Sequence, residues 1–527
     1  MSHLSSRLPS ALYRAEQVRE LDRIAIEDYG IEGFALMQKA AGVALSELLS
    51  RWPQVRHLLV FVGVGNNGGD GYLLAALAQD HGLKPTLIAV GDHDQLKGDA
   101  LRASQLAHQR GVQLAPFDAA SLLQHVAQPQ DQTVVVDALL GTGLSRLVSD
   151  TFAAAIQNIN QLPFPVLAID IPSGLSSDSG AVLGHAVRAA ATVTFIGVKQ
   201  GLLTGAGVDC CGEIVYHDLD VPPQVLAGSE SPKPASRRIR LGQILNLLEP
   251  RLPSANKGNF GHTVIVGGDY GYGGAALLAA TGALRAGSGL VSIVTRSANR
   301  SGILSRQPEI MLAGTEDPEN YGHRVEDVLA RATSIVVGPG LGRTDWSREL
   351  LARSLQFQEN SGIPLVVDAD GLNLLTDVLG AEPSRVSSRD DWILTPHPGE
   401  AARLLACKNS EVNADRFAAV GELQARWGGV VLLKGAGSLI CSNHFGEQII
   451  ELCDAGNPGM ASGGMGDVLS GVIGALISQR LSLADSLRLA VCLHSEAADQ
   501  VARENGQRGI VASDLLAVIQ KLVNPVL

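Results

Sequence analysis

A glycine-rich segment that ends in a single carboxylate carries the clearest chemical signal in this chain. It reads Asn457-Pro-Gly-Met-Ala-Ser-Gly-Gly-Met-Gly-Asp467, and the apolar run of residues 468–477 follows at once. Glycines let backbone N–H groups turn inward, and the start of a helix adds unpaired donors, so this loop can cradle a phosphate. A carboxylate beside such a cradle is explained if Asp467 removes a proton from a substrate hydroxyl next to the phosphate. The pattern predicts phosphoryl transfer to an alcohol, and the alternative is that Asp467 only caps a helix.

Further polar loops follow predicted strands in the C-terminal half. Lys434-Gly-Ala-Gly-Ser438 ends one strand and can wrap the phosphates or base edge of a nucleotide. Three more strands end in Gly338-Pro-Gly-Leu-Gly342, Asp368-Ala-Asp-Gly-Leu-Asn373 and Thr395-Pro-His-Pro-Gly-Glu400. His397 is held rigidly between two prolines, and a ligand contact and a structural role are equally open for it. From the residues alone, this half is best explained as a small-molecule kinase with Asp467 as the base.

Three loops with similar character follow strands in the N-terminal half. They read Gly63-Val-Gly-Asn-Asn-Gly-Gly-Asp-Gly71, Asp137-Ala-Leu-Leu-Gly-Thr-Gly-Leu-Ser-Arg146 and Asp170-Ile-Pro-Ser-Gly174. Because ligands bind at the carboxyl edge of parallel strands, we expect the three loops to share one site. The first loop fits the dinucleotide-binding pattern only formally, since Asp70 stands at the predicted helix start, where a phosphate would otherwise bind.

Oxygen donors are abundant in these N-terminal loops and predict a site for a hard cation. They come from Asn66, Asn67, Asp137 and Ser173, together with nearby carbonyls. The sparse negative charge favours a monovalent ion such as potassium. Residues 141–147 could hold a phosphate with Arg146 as its charge partner, and Asp170 is the acid/base candidate. The alternative is that Asp137 and Asp170 only cap the turns that follow them.

These loops are positioned by apolar strands that alternate with helical stretches, which predicts an α/β fold with parallel sheets covered on both faces. A helical pattern that includes Val18, Leu21 and Ile24 precedes the first strand. A composition shift near Val221-Pro-Pro predicts a linker at 223–240 between domains at 1–222 and 241–527. The basic cluster at 237–240 is interpreted as solvated linker. The predicted strands are 58–62, 86–90, 133–136, 166–169 and 191–195 in the first half, and 263–266, 290–294, 334–337, 364–367, 392–395 and 430–433 in the second.

Composition excludes several classes of protein. A chain of 527 residues with a formal charge of −12 lacks the basic surface of a general nucleic-acid binder. No apolar run is long enough to span a membrane, and residues 1–10 do not read as a signal peptide. The six cysteines show no metal-ligand spacing and are interpreted as reduced thiols, which predicts a cytoplasmic protein.

The N-terminal motifs resemble those of the NAD(P)H-hydrate epimerase domain. The resemblance covers roughly residues 11–220 and implies a Rossmann-like three-layer fold that interconverts the R and S forms of hydrated NADH or NADPH. Gln38 and Ser176 depart from the usual Glu and Asp, but neither position carries the proposed ion or proton. The resemblance places potassium on Asn67, Asp137 and Ser173, and the hydrate on Asn66, Asn67, Gly68, Gly69 and Asp70, on Gly141, Thr142, Gly143, Leu144, Ser145, Arg146 and Leu147, and on the catalytic Asp170.

The C-terminal motifs resemble those of the ADP-dependent (S)-NAD(P)H-hydrate dehydratase, which has a ribokinase-like fold. Six motifs appear in order over about 240–525, among them Gly261-His-Thr-Val-Ile-Val-Gly-Gly268. The resemblance implies that ADP phosphorylates the hydrate hydroxyl, with magnesium screening the phosphates and Asp467 as catalytic base. It places the hydrate on Ala275, Gly340, His397 and Asp467, and the nucleotide on Lys434, Gly435, Ala436, Gly437, Ser438 and Gly466.

Three hypotheses follow from these patterns. The first is a bifunctional repair enzyme that acts on hydrated NADH and NADPH, uses ADP and releases AMP, and forms a homo-oligomer. The second is an ATP-dependent kinase of a vitamin precursor, which would keep Asp467 and the anion loop. The third treats the N-terminal half as a binding or scaffold module, against which the intact Asp70, Asp137 and Asp170 argue.

Overall fold

The structure is a computed structural model that describes residues 8–118, 132–148, 150–316, 325–379 and 389–524. The chain forms two compact units, Met1–Arg237 and Arg238–Leu527. Both contain parallel sheets with helices between the strands, so the predicted α/β fold class is confirmed. The functional division of the chain into two activities stays a prediction.

The first unit is built around a sheet whose seven strands are all parallel to their neighbours. Its five predicted strands are present. The strands in chain order are β1 (Ala11–Tyr13), β2 (His57–Val62), β3 (Lys84–Ala89), β4 (Gln113–Pro116), β5 (Thr133–Ala138), β6 (Val166–Ile169), β7 (Ala191–Phe195), β8 (Val198–Lys199), β9 (Glu213–His217) and β10 (Ser236–Arg238). The sheet order is β4-β3-β2-β5-β6-β7-β9, while β1 pairs with β8 and with residues 236–237 of β10.

The strand order of the first unit reverses between β2 and β5. A crevice opens at such a switch point, outside the carboxyl ends of the two strands. Strand β5 is buried along its whole length, as expected for a parallel strand covered on both faces. The helices are Ala15–Arg23, Gly33–Arg51, Asn66–Asp80, Gly98–Gln109, Asp150–Gln161, Gly207–Cys210 and Pro223–Ala227, with a π-helical turn at Ile24–Asp28 and short 3-10 turns at His93–Gln95 and Gln200–Leu203.

In the described part of the second unit, nine strands follow one another: the first seven pair in parallel, and the eighth pairs antiparallel with both the seventh and the ninth. They are β11 (His262–Val266), β12 (Leu290–Thr295), β13 (Met311–Gly314), β14 (Ser334–Val337), β15 (Leu365–Val367), β16 (Trp392–Leu394), β17 (Val430–Leu433), β18 (Ser438–His444) and β19 (Glu447–Cys453). Their order is β13-β12-β11-β14-β15-β16-β17-β18-β19, with the switch between β11 and β14. The six strands predicted here are present, and β13, β18 and β19 were not predicted.

Helices cover the second sheet, and two of them approach each other closely because glycines lie at their contact. A Cβ on Gly471 would lie 1.8 Å from the carbonyl oxygen of Ala279, and one on Gly282 would lie 2.8 Å from that of Val468. The helices are Leu241–Ile244, Gly273–Arg285, Arg300–Arg306, Val325–Leu329, Asp345–Ser361, Asp370–Leu379, Pro398–Leu405, Asn409–Ala414, Arg416–Trp427, Met465–Ser478, Leu483–Asn505 and Asp514–Leu522, with 3-10 turns at Leu245–Leu247, Lys257–Phe260, Ser297–Asn299 and Pro458–Met460.

Two local interpretations of the sequence were wrong. The basic cluster is not a solvated segment, because Arg238 is buried and forms an ion pair with Asp454 at 2.9 Å. The first polar loop is also shorter than predicted, since the helix begins at Asn66 and Asp70 is already inside it. All six cysteines lie within the described residues and are free thiols. Among the helices of the described ranges, none has the length and apolar character needed to cross a bilayer.

Candidate active sites

A cleft of about 800 Å³ opens at the switch point of the first unit. It is lined by the ends of β2 and β5, the start of the Asn66–Asp80 helix and the loop after β5. Helix Ala15–Arg23 also contributes to the wall. The predicted residues that line the cleft are Asn66, Asn67, Asp70, Gly141, Thr142, Gly143, Leu144, Ser145, Arg146, Leu147 and Asp170.

Gly68 and Gly69 do not line this cleft, although both were predicted to bind the hydrate. A Cβ on Gly68 would lie 2.1 Å from the carbonyl oxygen of Gly63, and one on Gly69 would lie 2.7 Å from Met37 Sδ. The two glycines therefore allow the helix to pack against β2 and against its neighbouring helix. Their place in the fold is explained by close packing rather than by the cleft.

Asp137 and Ser173 meet beneath the floor of the cleft. The Ser173 amide donates to Asp137 Oδ2 at 2.8 Å, and the Ser173 hydroxyl donates to Oδ1 at 2.6 Å. Burial raises the pKa of Asp137 to about 6, and the bonds from Ser173 only partly oppose this rise. A bound cation would favour the ionised form of this fully buried carboxyl.

Asn67 lies in the same region and has a buried side chain whose polar atoms lack partners. Within the described part of the chain, neither Oδ1 nor Nδ2 of this amide makes a hydrogen bond. An unpaired buried amide is costly, and a cation coordinated by Oδ1 would compensate part of that cost. The donor set of Asn67, Asp137 and Ser173 includes a single carboxylate, and this low negative charge fits a monovalent cation better than a divalent one. The described residues contain no group of three or more His, Cys, Asp or Glu side chains arranged for a metal.

Asp170 forms a buried ion pair that the sequence did not reveal. The Lys199 ammonium donates to Asp170 Oδ1, and also to Thr194 Oγ1 at 3.0 Å and to the Phe195 carbonyl at 3.3 Å. Lys199 is 1% exposed, whereas Asp170 is 18% exposed and faces the cleft. Asp170 also has φ of 66°, a backbone conformation that costs a residue with a Cβ roughly 1 kcal/mol or more.

Two more carboxyls, Asp22 and Asp70, line the cleft around this ion pair. Burial raises the pKa of Asp22 to about 6, with Lys199 opposing the rise and Asp170 adding to it. Burial also raises the pKa of Asp70 well above its ordinary value, and the charges of Asp170 and Asp22 raise it further. The surroundings of Asp70 thus favour the protonated form of this carboxyl.

In the second unit, Asp467 lies in the first turn of helix Met465–Ser478 rather than before it. The N-cap position is taken by Gly464, with φ of 90°, so the alternative that Asp467 is the N-cap is wrong. Burial raises the pKa of Asp467 to about 6, the charge of Asp368 raises it further, and Lys434 opposes both effects. A carboxyl with this pKa is mostly ionised at neutral pH but is more basic than an exposed aspartate, which suits a general base.

Lys434 and Asp368 form the charged centre next to Asp467. Lys434 Nζ lies 2.7 Å from Asp368 Oδ1, and the Ser470 hydroxyl donates to Oδ2. Burial alone would raise the pKa of Asp368, but Lys434 and Ser470 outweigh it and hold that pKa below its ordinary value. Gly466 lies close to this pair, since a Cβ there would be 3.5 Å from Lys434 Nζ. Lys434 is therefore the positive partner of the neighbouring carboxylates, in addition to the nucleotide-binding role predicted for it.

The loop that follows Lys434 is held from below by Arg416. Its guanidinium is buried and donates to the carbonyls of Leu433 and Gly437, each at 3.3 Å. Gly435 has φ of 143°, and a Cβ there would lie 2.8 Å from Arg416 Nη1. The conformation of the predicted nucleotide loop is thus fixed by a buried cation on the neighbouring helix.

His397 caps helix Pro398–Leu405, which gives it a structural role. Its Nδ1 accepts from the Gly399 amide at 3.0 Å, and its own amide donates to Glu400 Oε2 at 2.8 Å. Burial and the charge of Lys434 lower the pKa of His397, which favours the neutral ring. Burial raises the pKa of Glu400 to about 7. A ligand contact by the half-exposed His397 ring stays a prediction.

The remaining predicted hydrate contacts lie together at the switch point of the second sheet. Gly340 has φ of 59°, and a Cβ there would lie 3.0 Å from Ala275 Cβ and 2.5 Å from the Tyr272 carbonyl oxygen.

Asp368, Glu400 and Ser470 were given no role from the sequence. Asp368 and Glu400 stood in quoted motifs at strand ends, whereas nothing in the sequence pattern marks Ser470.

Both halves of the chain match family models of known proteins. A family model described as YjeF-related protein N-terminus matches residues 33–201, and one described as NAD(P)H-hydrate dehydratase matches residues 263–521. A Coxiella burnetii protein named bifunctional NAD(P)H-hydrate repair enzyme Nnr is 43% identical over 519 residues, which is 98% of this chain and 100% of that protein. The Escherichia coli protein of the same name is 39% identical over 518 residues, which is 98% of this chain and 95% of that protein.

A solved structure similar to the second unit is described as an ADP/ATP-dependent NAD(P)H-hydrate dehydratase from Bacillus subtilis, co-crystallised with ATP and Mg²⁺. It is 26% identical, has a TM-score of 0.46, and covers 53% of this chain and 95% of that one.

Proposed function

Because this chain belongs to the family of bifunctional NAD(P)H-hydrate repair enzymes, we propose that it returns hydrated NADH and NADPH to their reduced forms. The first unit interconverts the R and S hydrates. The second unit dehydrates the S hydrate with ADP and releases AMP and phosphate. The observation that carries the proposal is the position of Asp467, which is partly buried in the first turn of a helix, next to the glycine-rich loop and within the electrostatic influence of Lys434.

The dehydration begins with activation of the substrate hydroxyl. Hydroxide is a poor leaving group, whereas phosphate is a far better one. Asp467 takes the hydroxyl proton, and the freed oxygen attacks the terminal phosphorus of ADP as the bond to AMP breaks. The carbon–oxygen bond then breaks with loss of phosphate, and loss of a proton from the adjacent carbon restores the double bond of the reduced ring. The amides at the start of helix Met465–Ser478 favour the negative charge of the transferred group.

The proposed contacts in the second unit follow the strand ends. Ala275, Gly340, His397 and Asp467 would contact the hydrate, and residues 434–438 with Gly466 would hold the nucleotide. Magnesium fits this site chiefly through the phosphates, because the described residues offer no cluster of three protein ligands. When bound, it would neutralise phosphate charge during transfer.

In the first unit, Asn67, Asp137 and Ser173 would hold potassium. The support is the unpaired buried amide of Asn67, together with the fully buried carboxyl of Asp137 that Ser173 contacts. The ion would fix the floor of the cleft, where the hydrate would bind Asn66, Asn67 and Asp70, residues 141–147 and Asp170. Asp170 would move the proton needed to open and close the ring at the hydrated carbon. We also propose that the protein is cytoplasmic, in keeping with its six free thiols. We further propose that it forms a homo-oligomer.

Incubation of the full chain with a prepared mixture of R and S hydrates and ADP tests the proposal. Recovery of NADH absorbance from the whole mixture is expected. Recovery from the S fraction alone would disprove the epimerase half. Absence of recovery, with ATP-driven phosphorylation of a different alcohol, would favour the kinase hypothesis.

A further inference from the structure

Three carboxyls and one ammonium share the cleft of the first unit, and they do not have equivalent surroundings. Asp170 accepts directly from Lys199, which is 1% exposed and, among the residues that the structure describes, has no other carboxylate within ion-pair distance. Asp22 and Asp70 line the same cleft from two different helices. The other charged groups that line it are Arg19, Asp99 and Arg146.

The charge balance of this group separates the three carboxyls. The one lysine of the group contacts Asp170 directly. Among the described residues Asp70 forms no ion pair of its own, and burial together with the charges of Asp170 and Asp22 favours its protonated form. The cleft therefore places an ion-paired carboxylate and a carboxyl whose surroundings favour the acid form on the walls of one cavity.

Epimerisation of the hydrate needs both kinds of group. As the ring opens, the hydroxyl loses its proton and a carbonyl forms at the hydrated carbon. The bond from that carbon to the ring nitrogen breaks, and the nitrogen keeps the electron pair and must gain a proton. Closure on the other face of the carbonyl reverses both transfers, so no oxidant or reductant is required. A single base can accept the first proton, but an acid must supply the second.

We propose that Asp170, ion-paired with Lys199, takes the hydroxyl proton while Asp70 donates a proton to the ring nitrogen, and that the negative charge of Asp22 in the same cleft favours the acid form of Asp70. This inference rests on the proposed epimerase activity. Lys199 and Asp22 act as positioning residues, since they work through the charge and orientation of the other two side chains.

The first test is Asp70→Asn in the full chain, with exchange between pure R and S hydrates followed by chromatography. General acid catalysis contributes about 100-fold to 10,000-fold, so a loss of about 100-fold or more in kcat is expected. Dehydration of pure S hydrate by the same sample measures the amount of intact second unit and so normalises the protein concentration. A wild-type chain that does not exchange the hydrates refutes the epimerase proposal itself. An active wild type with a smaller loss in Asp70→Asn overturns this inference alone.

The second test uses the pH profile, which a purely structural effect would not move. Asp22→Asn removes a negative charge near Asp70, so the alkaline limb of the epimerisation profile is expected to move to lower pH. Glu16→Gln is the matched control, because it makes the same charge change on the same helix at an exposed position outside the cleft lining. Lys199→Met is expected to move the profile to higher pH, and Lys199→Arg to restore it. The inference is overturned if the limbs of the epimerisation pH profile lie at the wild-type pH in both Asp22→Asn and Lys199→Met.

Discussion

Lys434 Nζ lies 2.7 Å from Asp368 Oδ1, and this ion pair lies at the carboxyl edge of the second sheet, with Asp368 buried and Lys434 21% exposed. Burial lowers the pKa of Lys434, but the charges of Asp368 and Glu400 more than offset this effect and raise it above its ordinary value. The pair thus stays charged over the physiological pH range. Its positive end opposes the rise in the pKa of Asp467, which leaves the proposed base ionised at neutral pH.

Asp467→Asn is expected to abolish dehydration and to spare epimerisation. The amide keeps the shape of the side chain but cannot accept the hydroxyl proton, and loss of a general base costs about 100-fold to 10,000-fold. Both activities are measured on one sample, dehydration from S hydrate and ADP, and epimerisation from pure R hydrate. Equal loss of both activities would contradict separate sites.

Dehydration is expected to lose rate as the pH falls through about 6, the pKa to which burial and Asp368 raise Asp467. Below that value the base is protonated, so kcat/KM should fall about tenfold for each further pH unit. An aspartate at its ordinary pKa would keep its activity to about pH 4. A profile that stays flat down to pH 5 would argue against Asp467 as the base.

Asp370→Asn is expected to move this acid limb to lower pH. Asp370 also raises the pKa of Asp467, and the amide oxygen can still accept from the Gly342 amide. The control is Asp345→Asn, a fully exposed carboxyl in a helix of the same unit, which should leave the limb in place. The measurement is kcat/KM against pH for the three proteins.

The carboxyl edges of both sheets could be predicted because their loops follow fully apolar strands. Glycine density and a closing carboxylate were enough to single out Asp467, and Asp137 and Ser173 do meet as the shared edge requires. Boundaries were less predictable. Both helix starts lie earlier than expected, because glycines in the first turn read as loop in the sequence although their backbones are helical.

The partners of the acidic groups could not be predicted. Lys199 belongs to a two-residue strand, and its bond to Asp170 spans 29 residues. Ser470 reads as one polar position in an apolar helix, and its bond to Asp368 spans 102 residues. Arg238 looked solvated because its neighbours are polar, whereas its buried ion pair with Asp454 depends on the end of β19. Pairing across such distances leaves no local pattern.

Potassium is expected to raise the melting temperature of the first unit through Asn67. Binding to the folded state alone stabilises a protein by about 2.7 kcal/mol when the ligand is at 100 times its Kd. Unfolding of the wild type and of Asn67→Leu is compared in potassium chloride and choline chloride at equal ionic strength. The wild type should be stabilised selectively by potassium and the variant should not. An equal response of both proteins to the two salts would exclude Asn67 as a ligand.

Gly471→Ala is expected to destabilise the second unit and to lower dehydration, although the residue is remote from the reacting atoms. The new Cβ would lie 1.8 Å from the Ala279 carbonyl oxygen, so helix Met465–Ser478 would have to move away from helix Gly273–Arg285. The helix that moves carries Asp467, and the other carries Ala275. Overpacking at such a contact costs about 2 kcal/mol. The measurement is the shift in the midpoint temperature of the second unit's unfolding, which is identified as the transition that ADP stabilises.

Gly302→Ala is the matched control for this change. It lies in helix Arg300–Arg306 of the same unit, and a Cβ there would have no atom within 4 Å. Since alanine is favoured over glycine in a helix by roughly 0.5–1 kcal/mol, the control should be slightly stabilised and fully active. The two variants make the same chemical change with opposite expected signs. If both variants were neutral, the close contact between the two helices would not be what fixes Asp467, on one helix, relative to Ala275 on the other.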